Sequence, residues 1–270
     1  RDCLKYFNGM WAFALYDVEK KILLLSRDRF GQKPLFFTLQ DDIFAFSSEL
    51  KTFLDHKSLS ITLSNKGLQK YCAHGYFPGD HSPYKEISKL TAGCNLFLKI
   101  DEMSLKIERY WSYNIEPNHG ESTAIENNWA EQIQDLLDKS VSRRMVADVP
   151  LGVFLSGGLD STIIGYFANR HLPPGKLKTF SIGFEDPTFD ESKWALNVAK
   201  LLSSQHSVTL FRKELFYELL REIQEKLDEP LSDSSLISQY LLCKQTRKKV
   251  KVALGGDGAD EIFAGYDTFK

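Results

Sequence analysis

Over the first hundred or so residues the apolar positions come in short runs, MWAFALYD, KILLLSRD, PLFFTL, DIFAFSSE, CNLFLKI and IERYW, lying between Met10 and about Trp111. Polar turns such as VEK and QDD separate several of them, which is the spacing of antiparallel hairpins. This half is expected to be mainly antiparallel β, interrupted by one helix at about Asn65 to Ala73. The stretch SYNIEPNHGESTAIENN that follows Trp111 is polar and holds Pro117 and Gly120, so residues 113–127 read as a linker between a domain over 1–112 and one over 128–270.

From about Trp129 the rhythm changes to helices alternating with apolar strands. A helix over Trp129 to Met145 leads into strand VPLGVFL, helix STIIGYFANR, strand KTFSIGF and helix DESKWALNVAKLL. Thr188, three residues before Glu191, fits a capping box for that last helix. Strand HSVTLF, a helix-rich stretch from about Lys213 to Lys248 and strand VKVALG complete the pattern. Such alternation implies an α/β fold with a doubly wound parallel sheet, whose ligands sit beyond the carboxyl ends of the strands.

Composition narrows the class. The 270 residues are 43% hydrophobic and 13% aromatic, enough for sizeable cores, and 34 Lys and Arg against 36 Asp and Glu give neither a nucleic-acid footprint nor a membrane-seeking face. No apolar run approaches the roughly 20 residues of a membrane span. Cys3, Cys72, Cys94 and Cys243 are scattered, without a CxxC pair or Cys/His cluster, so reduced thiols and a cytoplasmic location are expected. The chain opens on Arg1, not methionine, and reads as a fragment.

The candidate chemistry lies in the loop Ser156-Gly157-Gly158-Leu159-Asp160-Ser161, where a buried strand turns into a helix. Unpaired backbone N–H groups and the helix dipole converge at such a turn, so an anion belongs there. Glycines at 157 and 158 allow close backbone approach, and the Ser156 and Ser161 hydroxyls can add hydrogen bonds. No lysine follows the glycines, so the loop is not the G-x-x-x-x-G-K-[ST] form. A carboxylate beside phosphates is repelled unless a divalent cation bridges them, which makes Asp160 a candidate magnesium ligand and calls for a second carboxylate nearby. GGDGADE, Gly255 to Glu261, supplies one at the end of strand VKVALG. Taken alone GGDGADE reads equally well as an acidic surface turn; with SGGLDS at the end of a strand of the same sheet, Asp160 and Asp260 can meet across one crevice.

SGGLDS at 156–161, together with TFSIGFED at 179–186, DEPLSDSS at 228–235 and ALGGDGADEIFAGY at 253–266, resembles the synthetase domain of class B, glutamine-hydrolysing asparagine synthetases, built on the N-type ATP pyrophosphatase (adenine nucleotide alpha hydrolase-like) fold. FNGMWAFALYD at 7–17, SRDRFGQKPLFF at 26–37 and FAFSSELKTFL at 44–54 resemble the later part of that family's N-terminal glutaminase domain, the remainder of an Ntn-hydrolase α+β sandwich. The resemblance implies ATP and Mg2+ as cofactors and a ligase that makes asparagine from aspartate, with glutamine or ammonia as nitrogen donor, through a β-aspartyl-AMP intermediate. It assigns the nucleotide to Leu155, Ser156, Gly157, Gly158, Leu159, Asp160, Ser161, Ile182, Gly255 and Gly256, and magnesium to Asp160 and Asp260. Asp257 matches an acidic position implicated in proton handling as ammonia attacks, a role a carboxylate can fill as general base. Met10 matches a position lining the family's ammonia tunnel, and reads equally as a core methionine in a strand.

The same resemblance places the family's N-terminal cysteine nucleophile and its glutamine-binding residues before Arg1, so the 270 residues are not expected to hydrolyse glutamine, and are expected to bind nucleotide weakly or not at all. Cys3 does not replace that nucleophile. The expected partners are small molecules, with no nucleic acid and no membrane, and a homodimer is among the assemblies open to the chain. Two rival functions remain: a related ATP-dependent amidotransferase or cyclase acting on another carboxylate, and a non-catalytic relative. His74 and His81 read as surface or packing residues, and RKKVK at 247–251 as the solvated end of a helix.

Overall fold

The structure is a computed structural model, and it describes residues 2–115 and 123–269, with side chains of 123–127 left aside. The chain divides into two compact units, Arg1–Pro117 with Lys226–Asp233, and Asn118–Glu225 with Ser234–Lys270.

The first unit is built from two antiparallel sheets. Strands β1 (Ala12–Asp17), β2 (Ile22–Arg27), β6 (Cys94–Lys99) and β7 (Ser104–Arg109) form one in the order β1-β2-β6-β7; β3 (Phe36–Gln40), β4 (Ile43–Ser47) and the two-residue β5 (Ser88–Lys89) form the other in the order β4-β3-β5. Each run read as a strand from its apolar pattern is one. Leu25, Leu96 and Leu98 of the first sheet and Phe37 of the second belong to one buried cluster with Leu35, Leu90 and Cys94, so the two sheets face each other across it. A single turn of helix, α1 (Lys51–Leu54), was not expected, whereas α2 (Asn65–His74) was. Ser64 caps α2 by accepting the Gly67 N–H at 3.0 Å, and Gly75, at φ 76°, ends it in the left-handed region that glycine adopts freely.

The loop between β2 and β3 is organised by a buried aspartate. Asp28, 1% exposed, accepts four backbone N–H groups: those of Phe30 (3.1 Å) and Gln32 (3.0 Å) on Oδ1, and those of Lys33 (3.0 Å) and Trp11 (3.4 Å) on Oδ2. Its neighbour Arg27 gives its guanidinium to the carbonyls of Lys33 (2.7 Å), Leu90 (2.6 Å) and Gly31 (2.6 Å). Burial pushes the Arg27 guanidinium down from its ordinary value, against the opposing charges of Asp28 and Glu229.

A segment from far along the chain completes this unit. Asp228 accepts the N–H of Leu50 at 2.7 Å and of Lys51 at 3.4 Å, capping α1. Glu229 pairs with Lys89 Nζ at 2.9 Å, and the Ser232 N–H donates to the Gly75 carbonyl at 2.8 Å. Sequence reading places these residues in the second domain; the structure groups Lys226–Asp233 with the first.

The second unit opens with helix α3 (Thr123–Arg144), so residues 123–127 of the expected linker are helical, while 116–122 lie outside the described residues. Strands β8 (Leu151–Phe154), β9 (Lys178–Phe184), β10 (Gln205–Phe211) and β11 (Val252–Leu254) form one parallel sheet in the order β10-β9-β8-β11. The fold is α/β, as the alternation requires. Helices α4 (Leu159–Arg170) and α5 (Ser192–Leu201) share a core with α3 and the sheet around Val141, Val153, Leu155, Phe167, Leu177 and Ala195. Consecutive residues Thr179, Phe180 and Ser181 are all buried, so both faces of β9 are covered; α5 and α7 (Leu236–Thr246) each pack on it. Helix α6 (Phe216–Lys226) precedes the segment that joins the first unit, and with α7 it makes up the helix-rich stretch expected over 213–248.

The capping box expected for α5 does not form. The helix begins at Ser192, and the Asp190 carboxylate accepts the N–H of Ser192 (3.2 Å) and of Phe184 (3.2 Å) and the Ser192 hydroxyl (2.9 Å). The Thr188 hydroxyl donates instead to Asp186. A carboxylate two residues before the helix is a stronger acceptor than a threonine hydroxyl two residues further away, and it wins the backbone donors.

Candidate active site

Chain order sets where the crevice lies. From β8 the chain moves through β9 to β10 on one side, then returns to place β11 on the other side of β8, so the winding reverses between β8 and β11. Loops leaving neighbouring strands at such a reversal splay apart and leave a crevice at their carboxyl ends. The loops that leave these two strands are SGGLDS and GGDG.

Glycine is required at two points of this crevice. A Cβ on Gly256 would lie 2.9 Å from the Asp160 Cβ, 2.9 Å from the Ser161 N and 3.0 Å from the Asp160 carbonyl carbon, so the GGDG backbone rests directly on the first turn of α4. Gly157 has φ +90°, and a Cβ there would lie 2.5 Å from the Trp194 Cβ and 2.8 Å from the Ala195 N. Its glycine is thus required by packing against α5 as well as by backbone conformation.

Of the sequence-predicted residues, Leu155, Ser156, Asp160, Ser161, Ile182, Gly255, Gly256, Asp257 and Asp260 line one cavity of about 410 Å³, whereas Gly157, Gly158 and Leu159 are not among its lining and Leu159 is 74% exposed. Asp160 and Asp260 are half-buried and Asp257 is exposed. Gly158 is the N-cap of α4 and no side chain caps the helix, so the N–H groups of its first turn are left without a side-chain acceptor next to Asp160 and Ser161 of the cavity wall. The serine hydroxyls are engaged within the loop: Ser156 Oγ lies 3.0 Å from Ser161 Oγ and accepts the Gly158 N–H at 3.2 Å, and Ser161 Oγ accepts the Ser156 N–H at 3.2 Å. They preform the loop before any ligand arrives.

Two carboxylates from facing loops, beside a helix N-terminus and across a space that Gly256 keeps narrow, suit a magnesium ion that takes the rest of its shell from phosphate oxygens and water. Among the described residues no group of three or more His, Cys, Asp or Glu is arranged to hold a metal by itself. A pair of carboxylates would leave the rest of an ion's shell to phosphate oxygens and water.

Sequence reasoning missed part of the wall. Gln239, Leu242 and Cys243 of α7, together with Phe189, Glu191 and Tyr266, also line the cavity. Burial raises the Cys243 thiol above its ordinary value, with the Asp257 charge adding to it, so this cysteine stays a neutral part of the wall. Tyr266 stands inside the quoted ALGGDGADEIFAGY motif and was legible there; α7 carries no motif. Met10 is 56% exposed and precedes β1, which corrects the reading of a core strand methionine: the strand begins two residues later, at Ala12.

No helix among the described residues is long and apolar enough to cross a membrane, and all four cysteines are free. The family profile described as asparagine synthase matches residues 132–270, and that described as a glutamine amidotransferase domain matches 1–111. A Methanocaldococcus jannaschii protein provisionally named asparagine synthetase (glutamine-hydrolyzing) 2 is 37% identical over 99% of this chain and 51% of its own length. Asparagine synthetase (glutamine-hydrolyzing) 1 of Bacillus subtilis is 32% identical over 97% of this chain and 40% of its own. The chain thus spans about half, or less, of these relatives. A solved NH3-dependent NAD synthetase from Campylobacter jejuni aligns at TM-score 0.33 and 17% identity over 52% of this chain and 60% of that one.

Proposed function

The chain belongs to the asparagine synthase family, and from that premise we propose that its second unit activates a carboxylate by adenylation with ATP, aspartate being the acceptor, and that ammonia then displaces AMP to give the amide. The observation that carries this reading is the seating of Gly256 on Asp160, which joins the two motif loops in one cavity at the N-terminus of α4.

A carboxylate is a poor acylating agent until one of its oxygens becomes a good leaving group. In the proposed first step an aspartate carboxylate oxygen forms a bond to the α-phosphorus, the bond from that phosphorus to the bridging oxygen breaks, and pyrophosphate departs. The N–H groups at the start of α4 (Leu159–Ser161), which no side chain caps, and the α4 dipole would stabilise the charge that accumulates on the departing pyrophosphate. The bare backbone at Gly158 leaves room for a polyphosphate, whereas Gly157 is taken up by packing on α5, and Leu155, Ile182, Gly255 and Gly256 lie toward the nucleoside in this reading. Magnesium held by Asp160 and Asp260 would neutralise charge on the pyrophosphate. In the second step nitrogen bonds to the acyl carbon, the carbon–oxygen bond to AMP breaks, and the proton lost by nitrogen passes to Asp257. We propose further that the ammonia derives from glutamine through the amidotransferase domain of the full-length protein, whose region 1–111 is present here.

The test is pyrophosphate release from Mg-ATP by the full-length protein with ammonium chloride, with and without aspartate. Aspartate-dependent release with AMP as second product, abolished by Asp160→Asn in a folded variant, is the expected result. Release with a different carboxylate would move the acceptor, and no AMP with any of them would overturn the adenylation.

A further inference from the structure

Asp260 sits on a short and exposed piece of chain. Helix α8 (Ala259–Phe263) is a little over one turn, follows Gly258 at φ +91° and ends at Ala264 with φ +54°, and residues 261 to 269 are all exposed. A lone turn of this kind is marginal in water and must be fixed by something beyond its own ladder. Two features tie it. The Gly265 N–H donates to the Asp260 carbonyl at 3.0 Å, and Gly265 leaves room for the Asp260 carboxylate, whose Oδ1 would lie only 2.0 Å from a Cβ there. One residue on, the Tyr266 hydroxyl donates to Glu261 Oε1 at 2.9 Å, closing the turn from i+5 back to i. Tyr266, Glu261, Asp260 and Asp257 all line the same cavity.

We propose that Tyr266 is a positioning residue for the metal-bearing carboxylate: by anchoring Glu261 it holds α8 in the one turn that presents Asp260 to the cavity, and it keeps the Glu261 carboxylate occupied beside that site. This rests on the nucleotide reading above. The acid nearest the phenol raises its pKa through the hydrogen bond, with the Asp260 and Asp257 charges adding to it, so Tyr266 remains a donor at neutral pH. Without that donor, α8 is released from its tie and Glu261 is free to compete with Asp260.

The experiment uses the full-length protein with Mn2+ as the metal probe and a non-hydrolysable α,β-methylene ATP, bound Mn2+ being read by electron paramagnetic resonance. Tyr266→Phe and Glu261→Gln are each expected to weaken Mn2+ binding to the protein–nucleotide complex by about 2- to 10-fold, the worth of one hydrogen bond. The double variant is expected to lose no more than either single one, as two ends of one contact require. Nucleotide affinity without metal and the thermal midpoint should hold, and excess metal should restore pyrophosphate release. Unchanged Mn2+ affinity in Tyr266→Phe, or additive losses in the double variant, would overturn the positioning role while leaving the nucleotide reading in place. Absence of nucleotide-dependent Mn2+ binding in the unmodified protein would overturn both.

Discussion

Replacing Asp28 with Asn changes one atom at the centre of the β2–β3 loop and should unfold the first unit at markedly lower denaturant. The side chain is 1% exposed and serves two N–H donors with each oxygen. An amide keeps one acceptor, which will face the two similar bonds from Phe30 and Gln32, and turns its NH2 toward the N–H groups of Lys33 at 3.0 Å and Trp11 at 3.4 Å. A buried N–H left without an acceptor costs about 1–3 kcal/mol; with the longer Trp11 bond discounted, the loss is about 2–4 kcal/mol. At a urea slope of about 2 kcal/mol per M this lowers the midpoint by about 1–2 M with the slope unchanged. Tryptophan fluorescence in a Trp129→Phe, Trp194→Phe background reports this unit alone, since Trp11 and Trp111 remain and the two removed side chains are 42% and 66% exposed. A midpoint shift below roughly 0.3 M at constant slope would refute the claim that the carboxylate satisfies these donors.

Gly256→Ala forces a Cβ to 2.9 Å from Asp160 and Ser161, an overpacking that should cost about 1–3 kcal/mol and, in the full-length protein, abolish protection against thermal unfolding by Mg-ATP; retained protection would mean that the two loops need not touch. Asp190→Ala should lower the thermal midpoint of the second unit while Thr188→Ala leaves it in place, because Asp190 takes the N–H and hydroxyl of Ser192 at the start of α5 and the N–H of Phe184 at the end of β9; the reverse order would restore the capping box. Burial raises Glu229 above its ordinary value in spite of the Lys89 hydrogen bond and charge. A raised folded pKa means the folded state binds that proton more tightly, so stability falls as pH rises from the ordinary glutamate range through the shifted one. The urea midpoint of Glu229→Gln relative to the unmodified protein should therefore rise across that window, and parallel pH profiles would show that Glu229 does not titrate there.

The strands of the first unit were legible because each carries its own apolar run, and β5 was not, because Ser88 and Lys89 have no apolar side chain to declare it. Both glycine loops were legible because backbone approach at a strand–helix turn needs glycine, and both lie where the winding reverses. The contribution of α7 to the cavity was illegible: Gln239 and Cys243 reach it through packing, which leaves no local mark. The clasp of Asp228 and Glu229 was equally hidden, since DEPLSDSS reads as a polar loop and its partners stand 178 and 140 residues away at Leu50 and Lys89. The capping box failed because two acceptors competed for the same donors and pattern alone does not rank a carboxylate above a hydroxyl.

That clasp bears on how the chain is made. A ribosome delivers residues in order, and the strands of the first unit are all in hand once Arg109 has emerged. The cap of α1 and the counter-ion of Lys89 come only with Asp228 and Glu229. At about 5–20 residues per second, the nascent first unit waits roughly 6–24 s with its sheets formed and its closing segment unmade. During that interval Lys89 has no carboxylate and the first N–H groups of α1 have no acceptor, so the amino-terminal half is finished by the carboxyl-terminal half and cannot mature ahead of it.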